Sequence, residues 1–289
     1  YETEAIPQVK KAMVLAEKAP LMHLAAGGGP LYNFLISLGL TLGVTALAGF
    51  LLGGAQYGIA PGVLGGVIAY WLLARRSFKR VELLSREVGG IMEAAGRKVN
   101  LQRQPKQQEA VMQAAIDQAI KKLRGAYAIA SWQWGIRAQM DGQIGQLLFM
   151  GKRFDRAKPY LKDGFARVWT TRAMLGVCHF KGQAWEAMNS AFAESEKHNK
   201  KQGMLYAVWA WCVLNAKDGR KSDQRRDHAI EILARGEKKT ESKDPLLQKN
   251  LEALRNGRSM RMQGYGNQWY MFHLERPRQA QTRQVIRGR

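Results

Sequence analysis

The chain has 289 residues, 46% of them hydrophobic, and 45 Lys and Arg against 23 Asp and Glu give it a net charge of +22. That length fits one or two domains. The composition, with only 2 Cys, excludes a collagen-like chain, a disulfide scaffold and a wholly disordered chain. The charge is unevenly placed: residues 19–74 hold no Asp, Glu, Lys or Arg, and residues 1–18 balance three acids with three bases. The whole excess therefore falls in 75–289, which excludes a simple soluble single domain.

Residues 1–30 form a short amphipathic segment. Ile6, Val9, Met13 and Ala16 have partial helical spacing, with Lys10, Lys11 and Lys18 on other faces, as expected of a helix lying on a membrane or a partner. Residues 31–75 follow as a predicted transmembrane hairpin. Tyr32 to Leu52 is a charge-free run of the length a bilayer requires, and Ile59 to Ala74 is a shorter second run. The connector Gly53-Gly54-Ala55-Gln56-Tyr57-Gly58 predicts a turn, and Pro61 suits the first turn of the second helix. A buried core hairpin and a re-entrant loop that dips into the bilayer are the competing readings. The charged residues at the front and the length of the apolar stretch argue against a cleaved signal peptide.

Orientation follows from Arg75, Arg76, Lys79 and Arg80, directly after the second run. Such clusters stay on the cytoplasmic side and attract anionic headgroups. Two crossings then leave both chain ends cytoplasmic, in a bacterial inner or equivalent membrane. Gly39 and Gly43 are four apart, as are Gly49 and Gly53, Gly58 and Gly62, and Gly62 and Gly66. Small residues at this spacing let helices approach closely, between the two arms, between copies in a homo-oligomer, or against another membrane subunit. Neither run contains an ionisable residue of the kind an ion pathway needs.

Residues 76–125 are predicted as juxtamembrane helices and a linker. Val81, Leu84, Val88 and Ile91 recur at helical steps, Asn100–Gln108 with Pro105 is polar and linker-like, and a long helix is expected from Gln107 to Leu123. Beta-branched alternation is scarce, so the fold class is all-α.

Residues 126–272 contain internal repeats. Ile144-Gly145 followed by Ala157 matches Leu175-Gly176 followed by Ala187, and a looser third copy ends on Ala229. Cys178 and Cys212 fall at corresponding places in the second and third copies. These units resemble tetratricopeptide repeats, which place Leu-Gly in a first helix and a small Ala in a second; the closing Pro of that signature is missing. The resemblance implies stacked antiparallel helix pairs with a shared core and a surface that binds proteins. Residues 273–289 form a basic tail.

No catalytic constellation is present. The five histidines lack metal-site spacing, Gly27-Gly28-Gly29 lacks a phosphate-loop Lys, and the two cysteines suit core packing. The expectation is a non-enzyme without a cofactor. Trp132, Trp134, Trp269 and Tyr270 are candidate partner contacts, the last two in an aromatic stretch that either caps the final helix pair or inserts into a partner. The expected function is a membrane-anchored adaptor whose helical-repeat domain recruits or organises partner proteins. The alternatives are a structural subunit of an oligomeric membrane machine, of secretion, pilus or motor type, and a membrane-tethered nucleic-acid binder in which the positive charge meets phosphate.

Overall fold

The computed structural model describes residues 32–102, 104–133 and 135–276, so the amphipathic segment 1–30, Trp134 and most of the basic tail lie outside the described residues. The described residues form helices joined by turns, without strands, as expected from the scarcity of alternating beta-branched runs. The chain divides into two compact units, Tyr1–Gly90 with Lys122–Arg137, and Ile91–Lys121 with Ala138–Arg289.

In the first unit, α1 (Tyr32–Leu51) and the start of α2 (Ala55–Leu101) form a hairpin. Both helices are long and apolar enough to cross a membrane. The turn is tighter than the glycine-rich connector implied. It takes only residues 52–54, because Gly53 adopts φ +74 and the Gly54 N–H donates to the Gly49 carbonyl at 2.9 Å. This is the Schellman way of ending a helix. Gly58 is thereby free to serve the α2 face that meets α1, and Pro61 lies within the helix rather than in its first turn. The two arms are in backbone contact. A β-carbon on Gly58 would strike the Thr45 carbonyl, one on Gly62 the Thr45 hydroxyl, and one on Gly66 the Thr41 hydroxyl. Apolar side chains such as Leu42, Leu47, Phe50 and Leu64 point outward and are exposed.

The open end of the hairpin is closed by a polar cluster. The buried Asn33 amide donates to Ser77 Oγ at 3.0 Å and to Gln133 Oε1 at 3.1 Å, and Gln133 Nε2 donates to the Tyr70 hydroxyl at 2.8 Å. Tyr32 and Asn33 give their backbone N–H groups to the carbonyls of Ser131 and Trp132. Those are two of the N–H groups that the start of any helix leaves without a partner inside the helix.

Helix α2 continues unbroken through Arg75–Arg80 to Leu101, and α3 (Pro105–Gly125) starts at Pro105, the position proline prefers. The break between them is confined to residues 102–104, shorter than the linker expected over Asn100–Gln108. After the short α4 (Tyr127–Ala130), the second unit is a succession of helical hairpins: α5 (Ile136–Met150) with α6 (Phe154–Asp163), α7 (Trp169–Lys181) with α8 (Trp185–His198), and α9 (Gly203–Leu214) with α10 (Ser222–Lys239). Helix α11 (Pro245–Arg255) packs on α10, its start capped by Asp244, whose carboxylate accepts the N–H groups of Leu246 and Leu247 at 3.0 Å.

The first two hairpins repeat each other in detail. Their turns are Gly151-Lys152-Arg153 and Gly182-Gln183-Ala184, with Lys152 and Gln183 both at positive φ. Arg153 N–H donates to the Leu148 carbonyl as Ala184 N–H donates to that of His179, both at 2.9 Å. Within the pairs, Gly145 lies against Leu161 and Gly176 against Phe192, so a small residue on the first helix admits a large one from the second. In the third pair the roles are exchanged: Gly236 on α10 admits Tyr206 from α9. The structural period of the first two hairpins is 31 positions. It places the fully buried Met188, not the half-buried Ala187, at the counterpart of Ala157.

Candidate functional site

Near the C-terminal ends of α5, α7 and α9 stand Phe149, Phe180 and Trp211, each 31 positions from the next. Their rings fall in two groups. Phe180 meets Trp211 at 5.8 Å between centroids and Trp185 at 5.9 Å, while Phe149 meets Phe154 at 5.2 Å. Sequence reasoning missed this ladder, although its constant spacing was a usable signal.

The ladder carries an occupant. After α11 the chain runs through a 3-10 turn (Met262–Tyr265) and α12 (Asn267–Tyr270), separated by Gly266 at φ 58 and ψ −137, a backbone conformation that favours glycine. The 3-10 turn is tied to α11, where Asn250 Oδ1 accepts the Arg261 N–H at 2.7 Å. Beyond Gly266 the chain crosses the hairpin ends as a strap. The fully buried Trp269 ring meets Trp211 edge to face at 5.3 Å, fully buried Phe272 meets Trp169 at 6.0 Å, and His273 meets Phe149 at 5.7 Å. Glu275 accepts the indole N–H groups of both Trp211, at 3.2 Å, and Trp269, at 3.0 Å. Lys181 donates to the His273 carbonyl at 2.8 Å and sits over the Phe154 ring. The strap therefore reaches all three hairpins. It is neither a cap on the final pair alone nor, in this state, free for a partner.

Burial pushes the His273 imidazole pKa below its usual value, helped by the nearby charges of Lys152 and Lys181 and opposed by a hydrogen bond with the Met150 backbone. Burial also pushes the Cys178 thiol up to about 12 and the Cys212 thiol higher still, so neither is a ready nucleophile. Among the described residues no three His, Cys, Asp or Glu side chains are grouped to hold a metal ion.

The other sequence-derived candidates fall as follows. Gly49 lies against Ala55, Gly53 makes the turn, and Gly58, Gly62 and Gly66 pack the two arms together. Gly39 and Gly43 meet nothing within 4 Å, so the outer face of α1 keeps a small-residue stripe open. Arg75, Arg76, Lys79 and Arg80 are all exposed on α2, and Arg75 lies over the Trp71 ring at 5.2 Å. Ala157 and Ala229 are fully buried. Trp132 is 42% exposed and packs on Tyr32, whereas Tyr270 is half-buried beside Trp269.

No family model, curated protein or solved structure matches this chain. Its class is therefore defined by its own fold: an all-helical protein with two long apolar helices and a succession of packed helical hairpins.

Proposed function

We propose that the protein is a membrane-anchored adaptor, a non-enzyme whose tetratricopeptide-like hairpins hold a partner protein close to the bilayer. The observation that carries this reading is the presence in one chain of two bilayer-length apolar helices, exposed along most of their surface, and repeated helical hairpins bearing aromatic rings. Tethering raises the local concentration of whatever the hairpins hold. The exposed cations Arg75, Arg76, Lys79 and Arg80 follow the second apolar stretch directly, which supports anionic headgroups as lipid partners and a cytoplasmic hairpin domain. The test is extraction of cell membranes. The adaptor reading requires the protein to resist carbonate and high salt and to need detergent; release into the soluble fraction without detergent would overturn it.

A second reading, a subunit of an oligomeric membrane assembly, is favoured by one observation: the open Gly39 and Gly43 stripe on α1. Close helix packing between copies through such a stripe requires a defined multimer in detergent that Gly39→Leu dissociates, whereas a monomer supports the adaptor.

A further inference from the structure

We infer that the aromatic ladder is a recognition face for a peptide segment of the pattern Trp-x-x-Phe-x-x-Glu, that the chain's own strap fills it in cis, and that a partner protein bearing this chemistry docks by displacing the strap about Gly266. The inference deepens the adaptor reading and rests on it, because it names what the hairpins would hold.

The pattern is read directly from the occupant. Trp269, Phe272 and Glu275 are spaced by three, and each makes a distinct contact with the hairpins. Trp269 packs edge to face on Trp211, Phe272 fits against Trp169, and the Glu275 carboxylate joins the indole N–H groups of Trp211 and Trp269. A fourth contact lies at His273, whose carbonyl accepts from Lys181 and whose ring meets Phe149. Two aromatic anchors and one hydrogen-bonded acid make a compact recognition code, with the anchors supplying contact area and the acid fixing register.

Three features distinguish the strap from an ordinary core element. The rings it meets come from three successive hairpins, Phe149 and Trp211 near the ends of α5 and α9 and Trp169 at the start of α7, so the face is built by the hairpins, whereas the strap is no part of the repeat. Apart from the four residues of α12 it contributes no helix. It also joins the rest of the unit through Gly266, while the preceding turn stays pinned to α11 by Asn250. Rotation about Gly266 can release residues 267–276 without disturbing that anchor. The chain's net charge of +22 further favours an acidic incoming segment over a basic one.

The test uses the full chain in detergent and a fluorescent synthetic peptide, Asn267–Arg276 of this sequence. The double variant Trp269→Ala with Phe272→Ala opens the face. The inference requires the opened protein to bind the peptide at least tenfold more tightly than the wild type. Replacing the peptide's Glu by Ala, or adding Trp211→Ala to the opened protein, must then weaken binding. No binding by an opened variant that keeps its helical circular dichroism, or equal binding by all three proteins, overturns it. If the opened variant loses helicity, the wild type with a protease site inserted after Gly266 replaces it. After cleavage, exchange of the retained strap for excess labelled peptide supports the inference, and failure to exchange overturns it. Peptide binding in detergent is independent of membrane extraction, so this inference and the anchoring proposal fail separately.

Discussion

Gly176 of α7 lies beneath the ring of Phe192 of α8, where a β-carbon would come within 2.6 Å of the ring. Gly145 stands in the same relation to Leu161, 31 positions earlier in both members of the pair. Gly176→Ala therefore forces Phe192 from its place and should destabilise the domain by about 1–3 kcal/mol, the usual cost of overpacking. Thermal or denaturant unfolding checks this. The double change Gly176→Ala with Phe192→Leu should recover part of the loss, because the smaller side chain relieves the collision.

The hairpin arms allow a paired comparison. Gly62→Leu meets the Thr45 side chain and the Thr41 backbone, whereas Gly39→Leu meets open space. The first should separate the arms, at about 1–3 kcal/mol or more. The second should leave arm packing intact. Cross-linking of cysteines introduced at Val44 and Gly65, which face each other across the arms, scored in detergent, distinguishes them: yield should fall in the first variant and persist in the second.

Much of this hairpin was legible in the sequence because charge is costly in a low-dielectric setting and its absence over 19–74 has few other physical causes. The extent of α2 was less legible. The cations at Arg75–Arg80 signal a change of surroundings, but none of those side chains interrupts a helical backbone, so the helix continues to Leu101. The hairpin repeats were visible through Gly145 and Gly176, which sit under large side chains in the structure. The strap was not. Tyr265–Phe272 is aromatic but carries no periodicity that points to Phe149 or Trp169, more than a hundred and about a hundred positions away respectively. Such a long-range contact depends on where the hairpins end in space.

Arg172 illustrates a charge used to finish a neighbouring helix. It is buried on α7, donates to the Leu161 and Lys162 carbonyls at 3.1 and 2.5 Å, and pairs with Glu194 at 3.1 Å. Those carbonyls belong to the last turn of α6, where a cation is favoured. Arg172→Ala should cost about 1.5–3 kcal/mol, as expected for hydrogen bonds from a charged donor. Arg172→Lys should recover only part, since an ammonium cannot reproduce the fork. Chemical denaturation of the three proteins reports the ranking.

His273 should make the strap sensitive to acid. Its imidazole pKa is lowered from 6.5 in the folded chain by burial and by Lys152 and Lys181. The released state therefore takes up a proton first as the pH falls through 6.5, and strap stability declines from there until the folded value is reached. Above that window the contribution is constant. Tryptophan fluorescence of the strap, followed from pH 7.5 to 5, should shift toward the solvent-exposed spectrum. His273→Gln should remove this component while leaving any contribution from His179 and His228, whose pKa values burial also lowers.

Cys178 and Cys212 should resist thiol reagents in the native protein. Both are buried, and desolvation raises their pKa values, so little thiolate is present at neutral pH. Maleimide labelling should be slow in detergent and become complete only in denaturant. Fast native labelling of either residue would contradict the packing described for α7 and α9.

The position of Trp269 also orders events during synthesis. Trp211, its partner, leaves the ribosome 58 residues earlier. At about 5–20 residues per second, the nascent chain shows its uncovered rings for roughly 3–12 s before the piece that shields them has been made. In that interval the molecule is at its stickiest, and a chaperone or an early-arriving binder meets a surface that the finished protein conceals.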